Sequence, residues 1–408
     1  MPVSELNLQV NLSVGGLPFK QDKQLMFIFW GIILPVIGSF GLIGNILNMI
    51  VLFRMEMKSM TVYFLRTLVL TDTGIIVGCI LGLSSISVTQ LHPDNPAMNY
   101  YTHVIYPHMY TPINFIVMTL QFTNVWVTVA VTIERYIAIC HPFSAENFCN
   151  KRNTFILIGC ISVIAIAYNI PRCFATKVTE CDNITECVTS CVGNRDACRS
   201  DAMPNVTQCD NITDCITPCD GNKRDCLSLV TTYLGRTKGY EQYYSVYAYM
   251  FVIYIVPLLI LIILNILLII ELMRMRTRRT ESNILPTPNE NSETNMSIVL
   301  ILIVVVFIIC QTPGLVAQFW FLDQDVLSTW LCVSNTLFAL NSSVNFLIYT
   351  TVGRKFRKIL FTIFCLHAQG QRNRGAHNGA NELATSTEMP AYASEDEPDE
   401  TSRLQSVY

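Results

Sequence analysis

Charged residues are scarce in this 408-residue chain: Asp, Glu, Lys and Arg make up 14% of it, against about 25% in a soluble domain. The scarcity is local. Seven segments, residues 25–53, 67–91, 104–133, 154–171, 242–270, 294–322 and 326–352, hold 187 residues and a single charge, Asp72. The other 221 residues carry 56 charges, an ordinary soluble density. This distribution excludes an ordinary cytosolic enzyme. Crossing roughly 30 Å of hydrocarbon as a helix takes about 17–25 apolar residues, so each segment is a membrane-span candidate. A buried core helix would explain one or two such runs, but seven in a soluble core would still need polar faces. The expected fold is an all-α membrane protein, a seven-transmembrane helix bundle.

Lys and Arg are absent from the short loops 92–103 and 323–325. They cluster in the alternate connections, at Arg54 and Lys58, at Arg135, Lys151 and Arg152, at Arg274, Arg276, Arg278 and Arg279, and at Arg354, Lys355, Arg357 and Lys358. Basic residues close to spans stay on the cytoplasmic side, so residues 1–24 are expected outside and the C-terminal tail inside. No small-residue cleavage site follows the first apolar run, which is too long for a signal peptide and reads as a retained helix of the 25–353 bundle domain. Asn11 opens a glycosylation sequon consistent with an outside N-terminus.

Histidine is missing from the long second outer loop, 172–241, whereas cysteine is abundant there. Cys181, Cys187, Cys191 and Cys198 recur 28 residues later as Cys209, Cys215, Cys219 and Cys226, and 11 of 18 positions are identical between 181–198 and 209–226. This is a duplication. Eight such cysteines read as disulfides or as a metal site, and the oxidising outer location without His favours disulfides, with no metal expected. Pairing within each repeat would allow nine connectivities. Sequons at Asn183, Asn205 and Asn211 agree with lumenal exposure. The loop reads equally well as a lid over a ligand or as a glycosylated spacer.

An ionisable residue at mid-membrane depth is a functional candidate by default, and Asp72 is the one these segments contain. Asn45, Asn124, Asn341 and Asn345 fall at comparable depth. A carboxylate ringed by amides could hold a sodium ion or water and change between two helix packings; paired amides could also be simple glue between helices. At the inner end of the third span stands Glu134-Arg135-Tyr136. With Gly44-Asn45, Leu68 and Asp72, Pro257, Phe307, Cys310 and Pro313, and Asn345 with Tyr349, it places one element per helix, in order, over residues 25–365. The series resembles the rhodopsin-like (class A) G-protein-coupled receptors.

That resemblance implies that Arg135 is held at rest by acidic neighbours and, once freed, contacts a Gα subunit. Glu293 is expected at the position of the sixth-helix acidic partner, where it could also be a solvated charge. Several departures from the family pattern narrow the likeness. Phe346 replaces the usual Pro of the seventh-helix motif, Gln311 replaces the usual toggle Trp, and the fourth span ends Tyr168-Asn169-Ile170-Pro171-Arg172. With Asn265 and Gly353-Arg354-Lys355-Phe356-Arg357, these are similar to the FMRFamide-type neuropeptide receptors of invertebrates. The family's outer staple is missing, since Tyr110 occupies the cysteine position of the third helix. Cys173 is left without its usual partner, and Cys332 is one candidate replacement.

Other absences bear on the ligand. Residues 104–133 hold no acid to bind an amine, and 326–352 hold no Lys for retinal. The 24-residue N-terminus is too short for a hormone-binding domain. A short extracellular peptide remains, for which Tyr110, Gln311, Trp320, Asp323 and Asp325 are the expected contacts, although many outer aromatics could simply form the interfacial belt. Residues 354–365 alternate basic and apolar side chains, as a short amphipathic eighth helix on the anionic inner leaflet would, with Cys365 a palmitoylation candidate. Residues 366–408 read as a disordered tail whose Ser and Thr suggest, by resemblance, a receptor kinase and arrestin as partners. No catalytic residues, resident cofactor or nucleic-acid partner are expected. A plasma-membrane neuropeptide receptor is the leading expectation. A receptor for another small ligand on the same fold is the alternative, and a transporter or channel is the competing class, disfavoured by the odd span count and the lack of a repeat among the spans.

Overall fold

The computed structural model describes residues 23–54, 60–91, 95–180, 227–282, 288–317, 324–353 and 356–363. Among them seven helices are long and apolar enough to cross a membrane: α1 (Gln24–Arg54), α2 (Thr61–Thr89), α3 (Tyr106–Cys140), α4 (Lys151–Ala175), α5 (Gly239–Arg278), α6 (Ser297–Val316) and α7 (Thr329–Val352). Hydrocarbon offers backbone groups no water, so apolar runs of this length satisfy their N–H and C=O groups internally, as helices. Burial is inverted relative to a soluble protein. Phe40, Ile43, Val163 and Ile263 face outward, whereas Asn48, Asp72, Asn124 and Asn169 are buried.

Helix α3 packs against α2, α4 and α5, and α7 against α1, α2 and α6. The Phe of the seventh-helix motif finds room on α1, where a Cβ at Gly44 would lie 2.7 Å from the Cβ of Phe346. Asn150 starts α4 by accepting a hydrogen bond from the Asn153 amide at 2.8 Å. Helices α1, α2 and α5 each contain a stretch of wider, π-type turns in the outer part of the bundle.

The helices run past the charge-poor segments, and at two ends they take in a cation near the segment boundary. Helix α2 begins early enough to include Arg66, which donates to the Leu52 carbonyl at 2.8 and 3.3 Å and lies 4.6 Å from the centre of the Phe53 ring. Helix α4 continues through Pro171 to Ala175 and so encloses Arg172, which is buried. In both cases the cation finds local partners, so its charge does not end the helix.

The all-α expectation also needs one addition. The two ends of the second outer loop form an antiparallel hairpin, β1 (Thr176–Glu180) with β2 (Leu227–Thr231), in the register Thr176↔Thr231 to Glu180↔Leu227. Its base is tied to the bundle. The Thr232 amide donates to the Ala175 carbonyl at 2.9 Å, the Thr232 hydroxyl donates to the Phe174 carbonyl at 2.6 Å, and the Thr111 and Thr176 hydroxyls lie 2.9 Å apart. Cys173 carries a free thiol, so its pairing with Cys332 is not formed.

The described residues up to Arg357 form one compact unit and those from Lys358 belong to a second. After α7, residues 356–363 are helical. Within the first unit Phe356 stacks on Tyr349 with ring centres 5.4 Å apart, and Arg357 donates to the Thr350 and Thr351 carbonyls. Asn11, the eight duplicated cysteines, Asn183, Asn205, Asn211, Trp320, Asp323 and Cys365 lie outside the described residues, as does the tail from 364.

Candidate functional site

Three polar centres lie along the bundle. At the inner end of α3, Arg135 donates from Nε and Nη2 to the two carboxylate oxygens of Glu134, at 2.7 and 2.6 Å. Thr61 on α2 donates to the same carboxylate at 2.9 Å. All three residues are buried. A two-point, charge-assisted pair of this kind is among the stronger side-chain contacts. Tyr136 meets His141 edge-on, with ring centres 5.7 Å apart. Cys149 lies near enough to sense the pair: burial pushes its thiol above the usual range, Glu134 adds to that, and Arg135 opposes it. Glu293 belongs to the helix Pro288–Val316, but its side chain lies outside the described residues.

At mid-depth, Asn124 on α3 donates to Asp72 Oδ1 at 2.8 Å and Asn345 on α7 donates to Asp72 Oδ2 at 2.7 Å. Asn124 also donates to Thr71. One carboxylate on α2 therefore ties α3 to α7, as the spacing of the sequence motifs suggested. Asn45 does not join it. Its amide donates instead to the Ser342 carbonyl at 3.1 Å, holding α1 to α7. Asn341 is buried one turn before Asn345, with no hydrogen bond to Asp72. Sequence reading passed over Ser342, whose hydroxyl engages Asp72, and Asn48, whose fully buried amide atoms lack partners, as does Asn45 Oδ1.

In the half of the bundle nearer the β1–β2 hairpin lies a small cavity of about 20 Å³, room for about one water, partly open to solvent and lined by α2, α3, α5, α6 and α7. Gln311 lines it at the site where relatives usually carry Trp, beside Cys79, Cys310, Gln121, Tyr249, Tyr254 and Asn335. Tyr249 donates from its hydroxyl to Gln121 Oε1 at 2.9 Å. Gly314 admits Tyr254 against α6, where a Cβ would stand 2.7 Å from the phenol oxygen. Tyr110 does not line the cavity; it is buried against Tyr106, with ring centres 6.0 Å apart. Asp325 is in the helix Gln324–Val352, and its side chain lies outside the described residues.

Next to the cavity stands Arg172, which charge counting had placed beyond the end of its span. Its guanidinium lies 5.4 Å from the Tyr244 ring centre and 5.2 Å from that of Tyr249, and Nε donates to Asn169 Oδ1 at 3.0 Å. Wider turns in α5 explain this grouping. With i→i+5 bonding, residues five apart, such as Tyr244 and Tyr249, approach one face. Tyr240 stacks on Tyr244 at 5.1 Å, and Tyr244 donates to the Tyr168 carbonyl at 2.5 Å.

The sequence matches the model of the 7 transmembrane receptor (rhodopsin family) over residues 44–213 and 211–349. The chain belongs to that family. Membership makes it a multi-pass membrane receptor rather than an enzyme. The two matched stretches meet inside the duplicated loop. It is 32% identical over 158 residues to the FMRFamide receptor of Drosophila melanogaster, covering 38% of this chain and 28% of the fly protein. The probable G-protein coupled receptor frpr-1 of Caenorhabditis elegans is 27% identical over 381 residues, 89% of this chain and 85% of the worm protein. Neuromedin-U receptor 2 of Homo sapiens is 25% identical over 138 residues, 32% of this chain and 30% of the human protein. This receptor thus spans just over a quarter of the fly relative and most of the worm one.

Proposed function

We propose that this receptor sits in the plasma membrane with its N-terminus outside, binds an extracellular neuropeptide of the FMRFamide type, and activates a heterotrimeric G protein. The observation that carries the activation step is Arg135, buried and clamped by Glu134 and Thr61 at the inner end of α3. Peptide entry at the outer cavity shifts the packing of α6 and α7 around the Asp72–Asn345 bond, and the clamp opens to give Arg135 to the Gα subunit. Glu293 adds a second hold on Arg135 at rest. If Glu293→Ala leaves basal G-protein activation unchanged, that hold is excluded.

The Asp72 cluster suits a sodium ion or a water. Each carboxylate oxygen accepts one amide N–H and keeps lone pairs, the Ser342 hydroxyl engages the same carboxylate, and Asn45 Oδ1 is a buried acceptor without a donor. A bound sodium would supply positive charge beside Asp72 and favour the resting packing. Outside, the duplicated cysteines form disulfides and the sequon asparagines are glycosylated. Inside, Cys365 carries a palmitoyl chain beside an eighth helix on the lipid surface, and the phosphorylated tail recruits arrestin after a receptor kinase. The test of the central reading is expression with a promiscuous Gα and a calcium readout against an amidated-peptide library. An Arg-Phe-amide peptide should respond at low concentration; silence to every peptide, with solute flux instead, would replace this reading with a transporter.

A further inference from the structure

Among the described residues two arginines are buried, Arg135 and Arg172, and their surroundings differ in one respect. Arg135 has a carboxylate. Arg172 has none: the ion pairs of the described residues are Glu134–Arg135 and Glu271–Arg274. Arg172 is 6% exposed and its Nη2 is buried without an acceptor. A guanidinium cannot shed its proton to escape burial, so the charge stays and calls for a counter-charge. The π faces of Tyr244 and Tyr249 and the Asn169 oxygen meet part of that need. The Tyr244 hydroxyl also engages the guanidinium, and the unmet Nη2 donor suits capture of a carboxylate.

No acid of the surrounding helices supplies it. Helix α3 has none between Tyr106 and Ile133, and α4 has none at all. Glu241 of α5 forms no ion pair within the described residues. The ring of Tyr249 is the wall between this guanidinium and the cavity. Arg172 lies over one face of it, while its hydroxyl reaches Gln121 on the cavity side. Turning that ring aside breaks its hydrogen bond to Gln121 and its contacts with Met118 and Tyr254, and brings the guanidinium next to the cavity.

We propose that Arg172 is an anion-recognition residue of the ligand cavity, and that the ligand presents to it a carboxylate that displaces Tyr249. The proposal deepens the peptide reading and rests on it only for the carrier: in an amidated peptide the carboxylate is an Asp or Glu side chain, because the C-terminus is uncharged. An arginine of the same peptide is repelled from this corner and binds elsewhere.

The test separates the two readings. Purified full-length receptor is heated with N-acetyl-aspartate amide or with its size-matched control, N-acetyl-asparagine amide. The acid should raise the midpoint by about 2 °C or more at saturation, the control should not, and Arg172→Gln should abolish the difference. Equal shifts, or none with either probe, overturn the proposal whatever the natural ligand is. In cells, Arg-Phe-amide peptides carrying Asp or Asn at one upstream position are compared. The Asp form should be roughly 10- to 100-fold more potent on the wild type and equal to the Asn form on Arg172→Gln. Silence of all peptides counts against the peptide reading alone, leaving the thermal result to decide Arg172. Because the acid and amide probes are compared on the wild type, the result stands even where Arg172→Gln fails to reach the surface; Arg172→Lys, with intermediate acid preference, is the second variant.

Discussion

Asp72 and Arg172 are both buried ionisable side chains within membrane-spanning helices, and the protein treats them in opposite ways. Asp72 has two amide donors from two neighbouring helices, one on each oxygen. Arg172 has aromatic faces, one amide oxygen and an unanswered Nη2. Amides from two helices make the carboxylate a joint between them, with lone pairs left for a sodium ion or water; the guanidinium keeps a buried donor for a ligand. The Asp72 centre is therefore read as structure and switch, the Arg172 centre as recognition.

Variants can break this contrast. The largest effect is expected from Asp72→Ala, which strands the Asn124 and Asn345 amides at about 1–3 kcal/mol each. The unliganded thermal midpoint should fall by several degrees, and agonist-driven signalling should be lost. Next, Arg172→Met should have the opposite sign. Exchanging an uncompensated buried charge for an apolar chain should raise unliganded stability by about 1–2 kcal/mol while weakening the ligand; a fall comparable to that of Asp72→Ala would erase the distinction. Glu134→Gln removes the charge that clamps Arg135, worth about 1.5–3 kcal/mol, and should raise basal G-protein activation measurably without agonist. Smaller still, Tyr249→Phe deletes one hydrogen bond of about 0.5–1.5 kcal/mol. It should slightly lower unliganded stability but favour an acidic ligand, because the ring swings more readily. Thr111→Val, which deletes the hydroxyl contact to the hairpin, should cost no more than about 1 kcal/mol in the thermal midpoint.

Much of this molecule could be read from its sequence because the membrane imposes the pattern. Hydrocarbon excludes charge, so the gaps between charges mark the helices, and Glu134-Arg135-Tyr136, Asp72 and Asn345 stand where the motif spacing puts them. The errors share a cause. Treating every Arg as a span end cut α2 before Arg66 and α4 before Arg172, because composition cannot show that a carbonyl or a pair of phenol rings will receive a cation. Asn45 and Asn341 were grouped with Asp72 by depth alone, yet depth does not fix which way a side chain faces. The aromatic grouping around Arg172 depended on the widened turns of α5, for which the sequence carries no evident signal. Tyr110, a ligand candidate from its position near the outer end of α3, turned out to face Tyr106 within the core.

The hairpin at the base of the second outer loop bears on how this receptor could tolerate so unusual an insertion. Strand pairing from Thr176↔Thr231 to Glu180↔Leu227 brings the ends of segment 181–226 to within one strand spacing, about 5 Å, irrespective of what lies between them. Once the ends are pinned, lengthening the intervening chain adds little closure entropy, about 0.6 kcal/mol for each doubling. A tandem copy of 28 residues could thus be accepted at that point without re-spacing α4 and α5. The hairpin acts as a graft junction, isolating the duplicated module from the helix bundle.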